Sequence, residues 1–305
     1  MRIGLSGGAA TPDKMIEQAQ RAEADGFHAL WYASAVGGDP LVAMALAGRA
    51  TSHIELGTSV LQTYPCHPAL QANRARAVAA AMGRPGFTLG LGPSHEPVIE
   101  GVYGLSYARV GQHTEDYVRI VSALLAGQAV DLDGAVTLHA PAGTPVEPPV
   151  GVLVAALAPR LLRVAGEHAD GTILWMGNAQ AIEAHVAPRL HAAAQAAGRP
   201  QPRIVAGLPV AVHDDEAEAR AEAATQFAGY GVLPNYRRLL DLGGAPGPAD
   251  AAIVGDEASV TAQLQALVDA GATDVWAAVF PVGSDRDARG ESRRRTRQLL
   301  ASLVG

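Results

Sequence analysis

RIGLSGGAATPDKMIEQAQRAEADGFHALWY, residues Arg2–Tyr32, reads as one strand–helix–strand unit. Arg2–Ser6 is a short apolar run that suits a strand, β1. A helix is expected at Pro12–Asp25, with Thr11 as N-cap, Pro12 in its first position and Gly26 just past its end. Phe27–Tyr32 then forms β2. A doubly wound dinucleotide-binding sheet would carry a glycine fingerprint directly after β1, and Gly4-Leu5-Ser6-Gly7-Gly8 lacks its spacing.

The alternation continues outward from this unit. A helix at Asp39–Thr51, β3 at Ile54–Leu61, a helix at Pro68–Met82 and β4 at Phe87–Gly92 follow in turn. After a fourth helix at Arg109–Ala126, the stretch Val130–Leu138 alternates apolar and polar residues around Asp133-Gly134, which predicts a small inserted hairpin. Next come β5 (Val150–Ala156), a helix at Pro159–Ala169, β6 (Gly171–Met176), a helix at Ala179–Ala197 and β7 (Arg203–Val212). A helix at Ser259–Ala270, β8 at Asp274–Phe280 and a terminal helix at Glu291–Leu300 complete the order. Strands separated by helices, with no linker-like run, predict one α/β domain over residues 1–305, a closed (β/α)8 TIM barrel. The long interval between β7 and β8, with Pro234, Gly243-Gly244 and Pro246–Pro248, is expected to hold extra helices at the barrel mouth, where they could act as a lid.

Composition narrows the function. The chain has 305 residues, 49% of them hydrophobic and 17% charged, with a net charge of −7. That balance argues against a nucleic-acid surface, which needs a basic face. One cysteine, Cys66, excludes an internal disulfide and a cysteine-rich zinc site, and fits a reducing cytoplasm. No run approaches the ~18 apolar residues of a membrane span, and the start of the chain does not read as a signal peptide.

Active sites of such barrels lie at the C-terminal ends of the strands. A Schiff-base aldolase needs a lysine there, and the single lysine, Lys14, sits in the first helix. β1 ends in Ser6-Gly7-Gly8, without the histidines of a metal hydrolase, and β5 and β6 end without the carboxylates of a magnesium site. No metal site is therefore expected. A glycosidase pair is conceivable from Glu96, Asp214 and Asp215, but the two aspartates are better read as helix caps, and 5% aromatics is thin for stacking sugars. A mouth of backbone, small hydroxyls and apolar side chains suits an enzyme whose chemistry is carried by an organic cofactor.

Several stretches resemble the luciferase-like monooxygenase superfamily, especially its branch that uses the deazaflavin coenzyme F420. They are Gly26–Trp31, Gly57–Tyr64, His67-Pro68-Ala69, Thr88–Ser94, the Asp133-Gly134 hairpin, Ala165–Gly171, Gly255-Asp256-Glu257 and Gly271–Asp274, in the family's order. The resemblance implies a cis peptide at Ser59-Val60, against the back of the cofactor ring. It implies a site for the cofactor's phosphate at Leu157-Ala158-Pro159-Arg160-Leu161, where free N–H groups and the helix dipole favour an anion and Arg160 adds a charge. The family's double glycine there is replaced by Leu157-Ala158. The implied cofactor-binding set is Ser6, Ser34, Ser59, Val60, Gln62, Pro93, Ser94, Leu157, Ala158, Arg160 and Leu161.

Near the reactive centre the chain departs from relatives that oxidise glucose 6-phosphate. Their Asp-His after β2 aligns with Ser34-Ala35, their glutamate after β4 with His95, and their phosphate-gripping lysine with Asn178. His95 is the imidazole at a strand end and suits a proton donor to a substrate that receives a hydride; the other reading is a hydrogen bond to a loop or to the cofactor. Tyr64, Glu96, Trp175 and Met176 are the expected substrate pocket, although Tyr64, Trp175 and Met176 also fit a core. The expected activity is hydride transfer between reduced F420 and a small organic molecule with a C=N, C=C or C=O group; an FMN-dependent monooxygenase is the alternative. A homodimer is expected by resemblance.

Overall fold

The computed structural model describes residues 1–8, 11–33 and 39–304. Eight parallel strands close on themselves: β1 (Ile3–Gly7), β2 (Ala29–Tyr32), β3 (Glu55–Thr58), β4 (Phe87–Gly92), β5 (Gly151–Val154), β6 (Gly171–Trp175), β7 (Arg203–Val212) and β8 (Asp274–Val279). β1 pairs with β2 (Gly4 beside Ala29), and β8 returns to β1 with Val275 beside Ile3. Every residue of β4 is buried, as expected of a strand covered on both faces by barrel interior and helices.

Inside the barrel, Ala29, Trp31, Leu153, Ile173, Val205 and Trp276 pack together. Two indoles fit only because glycines face them. A Cβ on Gly57 would stand 2.2 Å from the Trp31 ring, and one on Gly207 would stand 2.1 Å from Trp276. Outside, helix Pro12–Ala24 begins at Thr11, whose side chain accepts from the Lys14 N–H, and buries Met15, Ala19 and Ala22 along one stripe.

The N-terminal end of the barrel is closed by ions. Arg203 donates to Glu55 Oε1 (2.8 Å) and Oε2 (3.1 Å) and to Asp274 Oδ1 (2.8 Å). Arg2 joins the same two carboxylates at 2.9 and 2.8 Å, and the Thr88 hydroxyl donates to Glu55 at 2.5 Å. Burial alone would push the Asp274 carboxyl up; the Arg203 hydrogen bond and charge hold it below its ordinary value. Burial would likewise lower Arg203, and Glu55 and Asp274 carry it upward instead.

Four features differ from the sequence reading. The hairpin pairs Val130–Leu132 with Leu138–Ala140 across a five-residue loop rather than at Asp133-Gly134 alone, because buried Asp116 accepts the N–H groups of Ala135 (2.7 Å) and Val136 (3.4 Å). A short helix, Glu96–Gly101, stands right after β4. The helix after β6 contains a π turn, Ile182–Val186, which places His185 to reach the Leu157 carbonyl at 2.9 Å. The terminal helix starts earlier, at Arg286, because Asp285 caps it with bonds from Asp287 and Ala288. The β7–β8 interval holds helices Glu216–Gln226, Pro234–Leu242 and Pro248–Ala251 and a strand, Ile253–Gly255, that pairs with the end of β7. Asp215 caps the first of them and Asp214 pairs with Arg295, so both carry structural work.

Candidate active site

At the C-terminal ends of the strands a pocket of about 230 Å³ opens inside the rim of the barrel. Its walls are Ser59 and Val60 after β3, Gly92 at the end of β4 with Pro93, Ser94 and His95 after it, Leu157, Ala158, Arg160 and Leu161 after β5, and Trp175 at the end of β6. The floor is apolar, formed by Ile173, Leu174 and Trp276. Asn235 and Tyr236 complete it from helix Pro234–Leu242, so the β7–β8 excursion does lie over the mouth.

The Ser59-Val60 peptide is cis. Val60 is seated on the β4 backbone at Gly92, where no side chain stands in its way: a Cβ on Gly92 would fall 2.6 Å from Val60 Cγ2 and 3.0 Å from Ala155 Cβ. The Ser59 hydroxyl is buried on the pocket wall with no hydrogen-bond partner, a costly state for a polar group unless a ligand completes it. That orphaned hydroxyl, above an apolar floor, fits a flat ligand with a polar edge.

The loop after β4 is fastened from two sides. Ser94 adopts a left-handed φ of 63°; its carbonyl accepts the Tyr107 hydroxyl at 2.8 Å and its hydroxyl accepts Gln62 Nε2 at 3.2 Å. This turn presents His95, which stands at the start of helix Glu96–Gly101 without capping it, its ring 5.7 Å from that of Tyr236. Burial lowers the His95 pKa below 6.5, so the imidazole is neutral at pH 7. Burial pushes Tyr107 up to about 12, with Tyr64 and Glu96 adding to it, so it donates to Ser94 across the working range.

Beyond Leu157 the wall becomes a helix N-terminus. Helix Pro159–His168 starts at Ala158 with no side-chain cap, leaving its first N–H groups free for an anion. Arg160 flanks it and is already engaged: its Nη2 donates to Gln112 Oε1 at 2.6 Å and to Glu115 Oε2 at 2.8 Å, and its Nε donates to Glu115 at 3.1 Å. Burial would raise the Glu115 carboxyl, but Arg160 and Arg163 hold it below the usual range.

The structure thus gathers Ser59, Val60, Pro93, Ser94, His95, Leu157, Ala158, Arg160, Leu161 and Trp175 around one pocket. Ser34 falls outside the described residues. The remaining expected site residues stand off the wall. Ser6 accepts the indole N–H of Trp276 at 2.9 Å and so orients a floor residue, and Gln62 reaches the pocket only through Ser94. Tyr64 stacks on His113 at 3.8 Å behind Tyr107. Glu96 is exposed at the first position of its helix, where its charge suits the dipole rather than the cavity. Met176, with φ 64° and 1% exposure, is packed into the core. Asn178 caps the following helix and holds the Gly243 carbonyl at 2.8 Å, anchoring the end of the covering helix.

Sequence reasoning did not single out Tyr107, Asn235, Tyr236 or Trp276. A signal was present for the cover: Phe227, Tyr230 and Tyr236 crowd into a short stretch of a chain that is 5% aromatic. Arg109 was also passed over; it precedes wall residues Val110 and Gly111 and has no ion-pair partner among the described residues. Among the described residues no group of three or more His, Cys, Asp or Glu is placed to hold a metal ion, and no helix is long and apolar enough to cross a membrane.

With this geometry in view, the family described as luciferase-like monooxygenase matches residues 1–289. A 5,10-methylenetetrahydromethanopterin reductase of Methanolobus tindarius is 24% identical, over 90% of this chain and 92% of that protein. Among solved structures, the coenzyme F420 dependent tetrahydromethanopterin reductase of Methanopyrus kandleri superposes with a TM-score of 0.74 at 19% identity, covering 99% of this chain and 98% of that one. The oxygenating component of 3,6-diketocamphane monooxygenase of Pseudomonas putida, in complex with FMN, superposes with a TM-score of 0.70 at 18% identity, covering 100% and 97%.

Proposed function

This chain belongs to the luciferase-like monooxygenase family and is an enzyme, and from that premise we propose that it is an oxidoreductase that exchanges a hydride between coenzyme F420 and a small organic substrate bearing a C=N, C=C or C=O group. The observation that carries the reading is the wall of the pocket. It offers an apolar floor, Val60 seated on Gly92, an orphaned Ser59 hydroxyl and, at one end, an uncapped helix N-terminus. The first two match a flat ring, the hydroxyl its polar edge and the helix N-terminus its phosphate. Bound F420 supplies the hydride.

The chain's own residues do the rest. Val60 and Gly92 would lie against the ring, and Trp175 and Trp276 against the apolar side of the space left for substrate. Tyr236 and Asn235 cover the mouth and limit water. His95, neutral at pH 7, takes a proton when a substrate alcohol or amine is oxidised and gives one back, below its lowered pKa, when the substrate is reduced. Asn178 is spent on the helix it caps, and the pocket wall has no arginine or lysine besides Arg160 to take a sugar phosphate, which supports a substrate other than glucose 6-phosphate.

An FMN monooxygenase is the second reading, favoured by one feature: Arg160 is the sole cationic side chain on the pocket wall, enough for a single phosphate. F420 carries a longer anionic tail, and the unpaired Arg109 on the rim supports it. Spectral titration of the apoprotein with each cofactor discriminates. Micromolar F420 binding with negligible FMN binding is expected; the converse would hand the site to flavin chemistry.

The same reading includes a homodimer. Val42 (61% exposed) and Leu46 (45%), one turn apart on helix Pro40–Arg49, and Leu70 (55%) on the adjoining helix Pro68–Met82 are exposed apolar side chains that a second copy would cover. Sedimentation equilibrium is expected to return twice the 31.3 kDa chain mass. A cytoplasmic site of action is supported by the single cysteine.

A further inference from the structure

Arg160 is the cation at the phosphate end of the pocket, yet it is not idle. Glu115, with 14% of its side chain exposed, receives two bonds from Arg160 and two more from Arg163 Nη2, each at 3.1 Å. Arg163 also pairs with Glu167 one turn further along its helix. The group as a whole is balanced, two arginines against two glutamates, so it presents no spare positive charge to an incoming anion. Arg160 is the partner on the wall of the pocket; Arg163 is not.

We infer that Glu115 is a latch on Arg160: an anionic ligand draws Arg160 away from Glu115, and Arg163 takes over the carboxylate so that it is never left unpaired. The inference rests on the reading of this pocket as a phosphate-bearing cofactor site. Arg160 must exchange one carboxylate for one phosphate, and the cost of that exchange is set by how well Glu115 is held by what remains. A buried carboxylate stripped of its partner is expensive, whereas one retained by a second guanidinium is not. Gln112 keeps the released arginine in reach through its bond to Nη2, and is itself fixed by donating to Asp116 at 2.7 Å. Glu115 and Arg163 are thus positioning residues: neither lines the cavity, and both set the affinity of Arg160 for an anion.

The latch makes an asymmetric prediction. Glu115→Gln frees Arg160 and tightens binding of a phosphate-bearing ligand by about three- to tenfold, the scale of a partly exposed, multiply bonded ion pair. Arg163→Gln leaves Glu115 to Arg160 alone and weakens the same ligand by a similar factor. In the Glu115→Gln background, Arg163→Gln has no further effect, since there is no carboxylate left to hand over.

The test is fluorescence titration of the full-length wild type, both single variants and the double variant. The ligands are F420, FMN, and the phosphate-free form of each ring system. The phosphate-free ligands are expected to bind all four proteins equally. The latch is overturned if Glu115→Gln weakens or leaves unchanged the phosphate-bearing ligand, or if Arg163→Gln costs the same with and without Glu115, which is what a long-range field would give. Binding of neither ring system, with or without phosphate, would instead sink the reading of the pocket and the latch with it. Tight phosphate-free binding with no latch effect would remove the latch alone.

Discussion

The two ends of the barrel use the same pair of groups, arginine and carboxylate, to opposite purposes. At the N-terminal end Arg203, Arg2, Glu55 and Asp274 form a closed network in which the carboxylate side chains keep only 10% and 6% of their exposure. At the mouth the Glu115 carboxylate keeps 14%, hardly more, but both of its partners, Arg160 and Arg163, are 46% and 45% exposed. Arg2 is 47% exposed, like Arg160, so the difference lies in Arg203, which bonds both carboxylates at 29% exposure. A network held by a half-buried guanidinium loses a great deal when that member is removed, while one whose arginines both stand in water can trade a partner for a ligand.

The heaviest way to break this comparison is at the sealed end. Arg203→Met strands two buried carboxylates with Arg2 alone, and is expected to cost about 3–5 kcal/mol of unfolding free energy, measured by denaturant titration. Cofactor affinity of the fraction that stays folded should not move. Asp274 gives the matching pH signature. Its carboxyl is held below 3.8 in the folded chain, so the stability it contributes is present above that value and is lost as the pH falls through the lower folded one. A protein that loses this contribution already near neutrality would contradict the network.

At the mouth the largest effect belongs to His95. His95→Gln is expected to lower turnover by about 10²–10⁴ with little change in cofactor affinity. The wild-type profile for substrate reduction should fall as pH rises through a value below 6.5, because burial depresses the imidazole pKa, and the oxidative direction should rise over the same range. A variant that keeps the wild-type pH limb would strip His95 of its role while leaving the pocket intact.

The unequal visibility of the two ends in sequence has a physical basis. The strand order was legible because each strand is a short apolar run and each helix announces its start, as Thr11-Pro12 and Asp39-Pro40 do. The β4 loop and the β5–helix junction were legible because one contiguous segment supplies each of them. The bottom network was not: Arg2, Glu55, Arg203 and Asp274 lie up to 272 residues apart, and only barrel closure brings them together. The same holds for the wall residues Tyr236 and Trp276. Tyr64 and Met176 were placed in the pocket because they stand near strand ends, and sequence position does not reveal on which side of the strand end a side chain falls. Glu115 is the sharpest case, since on its own helix it reads as one more solvated charge.

A middle-sized test lies on the ring side of the pocket. Gly92→Ala places a methyl against Val60 and Ala155, where neighbours must move, and is expected to cost about 1–3 kcal/mol of stability together with most of the cofactor affinity. If the affinity survived, the seating of Val60 on Gly92 would not be what shapes the wall for the ring.

The smallest effect is the one that most sharpens the contrast between the ends. If the mouth pair is exchangeable, then Glu115→Gln should change unfolding free energy by no more than about 1 kcal/mol, because Arg160 and Arg163 lie 45–46% exposed and water can solvate what the carboxylate releases. Arg203→Met and Glu115→Gln each remove one charge from a cluster that joins two arginines to two carboxylates. An equal loss at both ends would mean that Glu115 is a seal, like Glu55, and that Arg160 is not free to leave it. A several-fold smaller loss at the mouth, with tighter binding of phosphate in the same variant, would mean that the energy withheld from stability there is held ready for the ligand.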